Sequence, residues 1–310
     1  FNINSLGVVE DNSFKIHKPT NIWNLILYFK DILIFYTRTS ADQIDFDKVV
    51  ILMMSPWDYP FMKICKVLKK EITLVVHDIH PHPGELWPLK KSITKRISIS
   101  DRLVFLSESV YSKYSTIFPD DENKKTIVIP HPIFKLDKKM NNANIEFFEK
   151  DYILFVGRIS KYKGINTLID AVMSSDKNLK LVIAGHGKIK KVHNARISYV
   201  NKWLSNEEIL VFVSNAKVVV FPYIEASQSG LLPLVMSFNK TIVISNQPGL
   251  IEQSKNYVPL KVFQSENSEE LKGILEEIVS SCNQGASTTN INNHLTEHDF
   301  ASKLHHFTMN

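Results

Sequence analysis

From Tyr152 onward, short apolar runs alternate with helical patterns, and this regularity constrains the fold more than any other feature of the chain. YILFVG (Tyr152–Gly157), LKLVIAG (Leu179–Gly185), KVVVFPY (Lys217–Tyr223) and TIVIS (Thr241–Ser245) are strand-length runs that end in glycine or polar loops. They are apolar throughout rather than at every second residue, which predicts strands covered on both faces. After the first strand, Ile165, Leu168, Ile169, Val172 and Met173 form one helical stripe. A further strand is read at ISYV, and Ser205 with Glu208 forms an S-x-x-E capping box that starts the next helix. A last helix is expected near Ser268–Ser281. The pattern predicts a doubly wound α/β unit, whose ligands bind outside the carboxyl ends of its strands.

The first 140 residues follow the same plan less regularly. Asp47–Met54, Glu71–Asp78, Arg102–Ser107 and Thr126–Pro130 read as buried strands. YPFMKICKVLKK and ESVYSKYSTIF read as helices between them, which implies parallel crossovers. Upstream, Ile22, Leu25, Ile26, Phe29, Ile32, Leu33 and Tyr36 form an amphipathic stripe. Asn24, Lys30 and Asp31 interrupt that segment, so it is read as a core-facing helix and not a membrane span. Lys135–Lys150 is rich in Lys and Asn without a period and is taken as the linker. Two units are expected, 1–140 and 150–310.

A chain of 310 residues, 44% apolar, can bury two such cores. Two distant cysteines, Cys65 and Cys282, give no disulfide framework, which suits a reducing, cytoplasmic setting. A net charge of +5 does not argue for nucleic acid, and is compatible with an anionic substrate or membrane surface. No signal peptide is visible.

Two strand–loop–helix segments carry candidate chemistry. In VGRISKYKGI, Arg158 and Lys163 follow a strand between Gly157 and Gly164, a placement that suits a diphosphate. Two solvated surface cations would give the same pattern. In VVVFPYIEASQSGLLPLV, Ser227, Gln228, Ser229 and Gly230 stand at a helix start, where hydroxyls and backbone N–H groups can hold a phosphate or sugar hydroxyl. Glu225 could accept hydrogen bonds from a sugar, although an ordinary N-cap also favours serine here. HDIHPHPGELW gathers His77, Asp78, His80, His82 and Glu85. Pro81 and Pro83 extend that loop, so it is read as an acceptor-binding loop rather than a metal cage. In LWPLKKSITKRISISDRL, Trp87, Lys90, Lys91, Lys95, Arg96 and Arg102 accompany an apolar stripe of Leu89, Ile93 and Ile97. This 87–102 segment is either a weak anionic-membrane contact or a solvated helix face.

FVGRISKYKGINTLIDA, LVIAGHG, SNEEILVFVSNA, VVVFPYIEASQSG and KTIVISNQPGLIE, taken together from Tyr152 to Glu252, resemble retaining glycosyltransferases of the GT-B architecture, family 4 (group 1). VVHDIHPHPGE, ISDRLVFLSESV and IVIPHPIF are weaker matches in the first unit. The resemblance implies two Rossmann-like domains with parallel sheets facing a cleft, the first on the acceptor side and the second binding a nucleotide sugar. It implies a metal-independent, hexosyl-type retaining enzyme of cell-surface polysaccharide synthesis, cytoplasmic or peripheral on the inner face of the membrane. Its partners are a nucleotide sugar and a glycan or lipid-linked acceptor, with no nucleic acid and no other cofactor. Arg158 and Lys163 match the family's diphosphate-binding pair, and Glu225 matches the first glutamate of its E-x7-E pattern. Gly157, Ser227, Gln228, Ser229 and Gly230 fall on the donor side. His77 lies at the interdomain loop, with Asp78, His80 and His82 on the acceptor side.

The chain departs from that family twice. Pro233 or Leu234 stands where a second, ribose-binding glutamate is usual. The family's first strand and glycine-rich loop have no counterpart after Phe1, so the chain reads as N-terminally truncated. Both departures would also suit a catalytically degenerate GT-B partner subunit. A dehydrogenase fits poorly, because no G-x-G-x-x-G follows a strand.

Overall fold

The computed structural model describes residues 22–40, 46–55, 58–81, 90–119, 121, 124–132, 150–281 and 295–310. The linker reading, apart from Lys150, lies outside these residues, as do His82, Glu85, Trp87, Leu89 and Cys282.

The first sheet contains β1 (Lys48–Ile51), β2 (Glu71–Val76), β3 (Arg102–Phe105) and β4 (Lys125–Val128), all parallel and in chain order. Around it stand α1 (Ile22–Ser40), α2 (Asp58–Val67), α3 (Lys90–Ile99) and α4 (Glu108–Ile117). Ile72, Leu74, Val76, Leu103 and Phe105 are fully buried among Met62, Cys65, Ile93 and Ile97. Burial pushes the Cys65 thiol up to about 12, so this cysteine is an inert core residue.

Two helices differ from expectation in the face they bury. Among the described side chains of α1, Ile32, Phe35 and Thr39 are buried, while Leu33 and Tyr36, read in sequence as part of the core-facing stripe, are exposed. Phe35 decides the phase by packing against Phe46 and Phe61, with ring centroids 5.8 and 4.9 Å away. In α3, Ile93 and Ile97 lie in the core and cannot enter a lipid leaflet. Arg96 is buried with them. It donates to Asp58 Oδ1 at 2.6 Å and to the carbonyls of Ser92 and Ser55 at 3.1 and 2.7 Å. The membrane-surface reading of 87–102 is therefore corrected for the described residues, because the apolar face it needed is already covered.

The second sheet follows from β5 (Tyr152–Val156), α5 (Ile165–Met173), β6 (Leu181–Ala184), β7 (Ile197–Val200), α6 (Asn206–Asn215), β8 (Ala216–Phe221), α7 (Leu232–Met236), β9 (Thr241–Ser245), α8 (Pro248–Gln253), β10 (Leu260–Phe263) and α9 (Ser268–Ser280). Its strands are parallel in the order β10-β9-β8-β5-β6-β7. The strand order reverses between β5 and β8, and a crevice opens at that point in such sheets. The Ser205–Glu208 capping box forms as read, with Ser205 Oγ accepting from Glu208 N–H at 3.2 Å.

The second unit was expected to run to residue 310, but the last helix leaves it. In α10 (Glu297–Met309), Phe300, Leu304 and Phe307 pack with Val75, Val104, Leu106 and Ile129 of the first unit. Lys48 donates to the Thr308 carbonyl at 2.6 Å and Arg102 to the Phe307 carbonyl at 2.5 Å, anchoring the helix end. Among the described residues, no helix is long and apolar enough to cross a membrane.

Candidate active site

Loops at the carboxyl ends of the two sheets meet, His77 after β2 against Gln228 after β8 and Ser107 after β3 against Ser227. The loops after β5 and β8 leave the second sheet at its strand-order reversal, and glycines let them pack closely. Gly164 has φ 63°, and a Cβ there would lie 1.8 Å from the Pro222 carbonyl oxygen. Gly185, after β6, has φ 148°, and its Cβ would lie 1.8 Å from the carbonyl oxygen of Gly157 at the start of the β5 loop. Larger residues would separate these loops.

This packing brings Arg158 and Lys163 beside two buried tyrosines. Arg158 is exposed and donates from Nη2 to Tyr162 Oη at 3.0 Å. Lys163 is half-buried, with Nζ 3.5 Å from the Tyr223 ring centroid and 4.8 Å from that of Tyr162. A cation over aromatic faces is attracted by the ring quadrupole. Tyr223 Oη lies 3.1 Å from Ser229 Oγ, and burial pushes its phenol pKa well above the usual range. The base of the loop is thus a neutral aromatic wall carrying a held cation.

The 227–230 turn differs from the expected helix start. α7 begins only at Leu232 and is five residues long. The Ser229 N–H, expected to face a phosphate, donates instead to Gln253 Oε1 at 2.6 Å, and the Gln253 amide returns a bond to the Ser229 carbonyl at 3.3 Å. Ser227 and Ser229 are buried, while Gly230 is exposed. Gly249 of α8 sits against the Ser227 carbonyl, where a Cβ would come within 2.1 Å. Gln253 and Gly249 therefore set the shape of this turn, and sequence reading missed both.

From the opposing unit, His77 follows β2. Its Nε2 lies 2.8 Å from the Leu52 carbonyl, an acceptor, so Nε2 carries the proton. Its Nδ1 then accepts from Gln228 Nε2 at 3.1 Å, directly across the cleft. Gln228 Oε1 is buried without a hydrogen-bond partner. His80 lies further along the same loop. Burial holds it below the usual histidine range, helped by Lys90 and Lys113 and opposed by Glu225. Glu225 and His80 therefore share one field, although they belong to different units. His131, beyond β4, is also held down by burial and stands near His77. The PHP in IVIPHPIF was its signal, but a single histidine after a strand is too common to single out. Asp78 is half-buried in the His77 loop. Among the described residues, no group of three or more His, Cys, Asp or Glu stands close enough together to hold a metal.

The comparisons agree with this fold. The family model described as glycosyl transferases group 1 matches residues 137–291, half of the chain. An uncharacterized glycosyltransferase of Methanocaldococcus jannaschii is 27% identical over 257 residues, 73% of this chain and 68% of that protein. The UDP-N-acetylglucosamine–N-acetylmuramyl-(pentapeptide) pyrophosphoryl-undecaprenol N-acetylglucosamine transferase of Pseudothermotoga lettingae is 27% identical over 124 residues, only 40% of this chain and 32% of that enzyme. Among solved structures, sucrose-phosphate synthase from Thermosynechococcus elongatus superposes with a TM-score of 0.67 at 14% identity, covering 90% of this chain and 77% of that one. Anabaena HepE, in complex with UDP and glucose, gives 0.67 at 12% identity, covering 94% and 83%. These structures share the GT-B fold, two parallel-sheet α/β units facing a cleft. With its family match spanning the switch-point loops, the chain belongs to the glycosyl transferases group 1 family.

Proposed function

We propose that the protein transfers a sugar from a nucleotide-sugar donor to a glycan or lipid-linked acceptor in cell-surface polysaccharide synthesis. We place it with the retaining enzymes of family 4, in a branch with an ASQSG turn. The strand-order reversal carries this reading, because Arg158, Lys163 and Glu225 come together there, opposite His77 and His80. The donor diphosphate lies along the β5 loop. Lys163, held over Tyr223, and Arg158 at the mouth neutralise the charge that develops as the sugar–phosphate bond breaks. Two cations already placed for that charge make a divalent metal unnecessary. Glu225 accepts hydrogen bonds from the sugar, and Asp78, His80 and His82 belong to the acceptor side.

A thermal-shift panel of UDP-, GDP- and ADP-sugars tests the donor, since a ligand that binds the folded state raises its melting temperature by mass action. A shift with one nucleotide class is expected. No shift with any of the three would overturn the reading. Loss of transfer in EDTA with recovery in Mn²⁺ would overturn its metal-independent form.

A further inference from the structure

α8 joins the two halves of the cleft through consecutive residues. Gln253 holds both backbone groups of Ser229 on the donor-side turn. Glu252, one residue earlier, reaches the other unit. Its Oε1 accepts from Glu108 N–H at 2.6 Å and its Oε2 from Ser109 N–H at 3.1 Å. These are the first two N–H groups of α4, which no carbonyl within the helix can satisfy. The third, on Val110, is taken by the cap residue Ser107 at 3.2 Å, and Ser107 Oγ also lies 3.2 Å from the Ser227 carbonyl. The start of α4 is therefore capped jointly, by its own serine and by a carboxylate from the opposite unit. A carboxylate on paired backbone N–H groups makes charge-assisted bonds in the favourable field of a helix N-terminus.

We propose that Glu252 is a positioning residue, a clasp that holds the acceptor-side unit against the donor-side turn in the geometry needed for transfer. Gln253 grips the donor-side turn while Glu252 grips α4, so one short helix ties the two together. α8 itself, anchored by Gly249 on the Ser227 carbonyl, is too short to move one contact without the other. The role in transfer rests on the function proposed above. The clasp itself does not, and is read without any substrate.

The test compares wild type with Glu252→Gln and Glu252→Ala. Glu252→Gln keeps the shape and one acceptor oxygen, and controls for misfolding. Amide hydrogen exchange by NMR at Glu108 and Ser109 is expected to accelerate about ten-fold in Glu252→Ala and less in Glu252→Gln, with Val110 unchanged, since an amide that loses its partner exchanges from the open state. Unchanged exchange at Glu108 and Ser109 in the folded alanine variant would overturn the clasp. Hydrolysis of the nucleotide sugar identified by the thermal-shift panel is the second readout. kcat is expected to fall about ten-fold, because misplacing reacting groups lowers the rate without weakening binding. KM for that sugar should stay within two-fold. Accelerated exchange with unchanged kcat would leave a structural contact and overturn the positioning role.

Discussion

At the residue scale, the cleft depends on a few side chains whose surroundings decide what they can do. Lys163 is a half-buried cation held over Tyr223 and Tyr162. A preorganised charge of this kind is worth about 10²–10³ in rate. Lys163→Ala is therefore expected to lower kcat/KM by that factor while the protein stays folded, as checked by steady-state kinetics alongside circular dichroism. Gly164→Ala should instead lower stability. The left-handed conformation costs a non-glycine residue about 1–3 kcal/mol, and the added methyl meets the Pro222 carbonyl. A lower urea midpoint with an unchanged slope is the expected result, and an unaltered midpoint would show that the two loops separate without cost. The lysine's place after a strand was legible in sequence, where a solvated surface cation fitted it equally. Tyr162 and Tyr223 were not, because tyrosines beside strands usually serve the core, and here only the approach of two loops turned them toward a lysine.

Among the elements, α3 and α10 show how packing reassigns a segment. From the sequence, a basic helix with an isoleucine stripe reads as either a lipid-surface contact or a solvated helix face. The structure places Ile93 and Ile97 in the core and pairs Arg96 with Asp58, with side chains only 3% and 10% exposed. Removing one partner of a buried ion pair costs about 3–5 kcal/mol, because the other charge is left unpaired. Arg96→Ala should therefore lower the melting temperature sharply, whereas Lys91→Ala on the exposed face should leave it within experimental error. α10 lacks a strong apolar stripe, so its partner could not be read from its own residues. It covers Val75, Val104, Leu106 and Ile129, and deleting 295–310 exposes that face of the first sheet. Faster hydrogen exchange in β2 and β3, with β5 and β8 unaffected, is the expected outcome of that deletion.

For the whole molecule, the histidines on the cleft wall link stability to pH. Burial depresses the proton affinity of His131, and of His80, below their usual value of 6.5. A group depressed on folding contributes stability that is complete above its unfolded pKa and is lost as pH falls through the folded one. Acidification from pH 7 to pH 5 should lower the melting temperature, and His131→Asn should reduce that loss. Equal losses in both proteins would show that His131 is solvated in solution. A second decline belongs below the usual value of 4.5 for Glu71, whose carboxyl the Arg102 guanidinium holds down. Glu71→Gln should remove it.

Most of the strands and longer helices could be read from the chain alone, because parallel strands covered on both faces appear as short runs of Val, Ile and Leu between amphipathic helices. The loop cations and the Ser205–Glu208 cap are equally local, set by residues a few positions apart. β10 and α8 escaped notice for a physical reason. β10 is an edge strand with Lys261 and Val262 exposed, and α8 is too short for a helical period to show. Which loops meet was beyond the sequence altogether. His77 against Gln228, Glu252 against the start of α4, and α10 against the first sheet join positions 151, 144 and more than 200 residues apart. Such contacts depend on strand order and on how two sheets face each other. No local pattern of residues encodes that, and only the packed cores fix it.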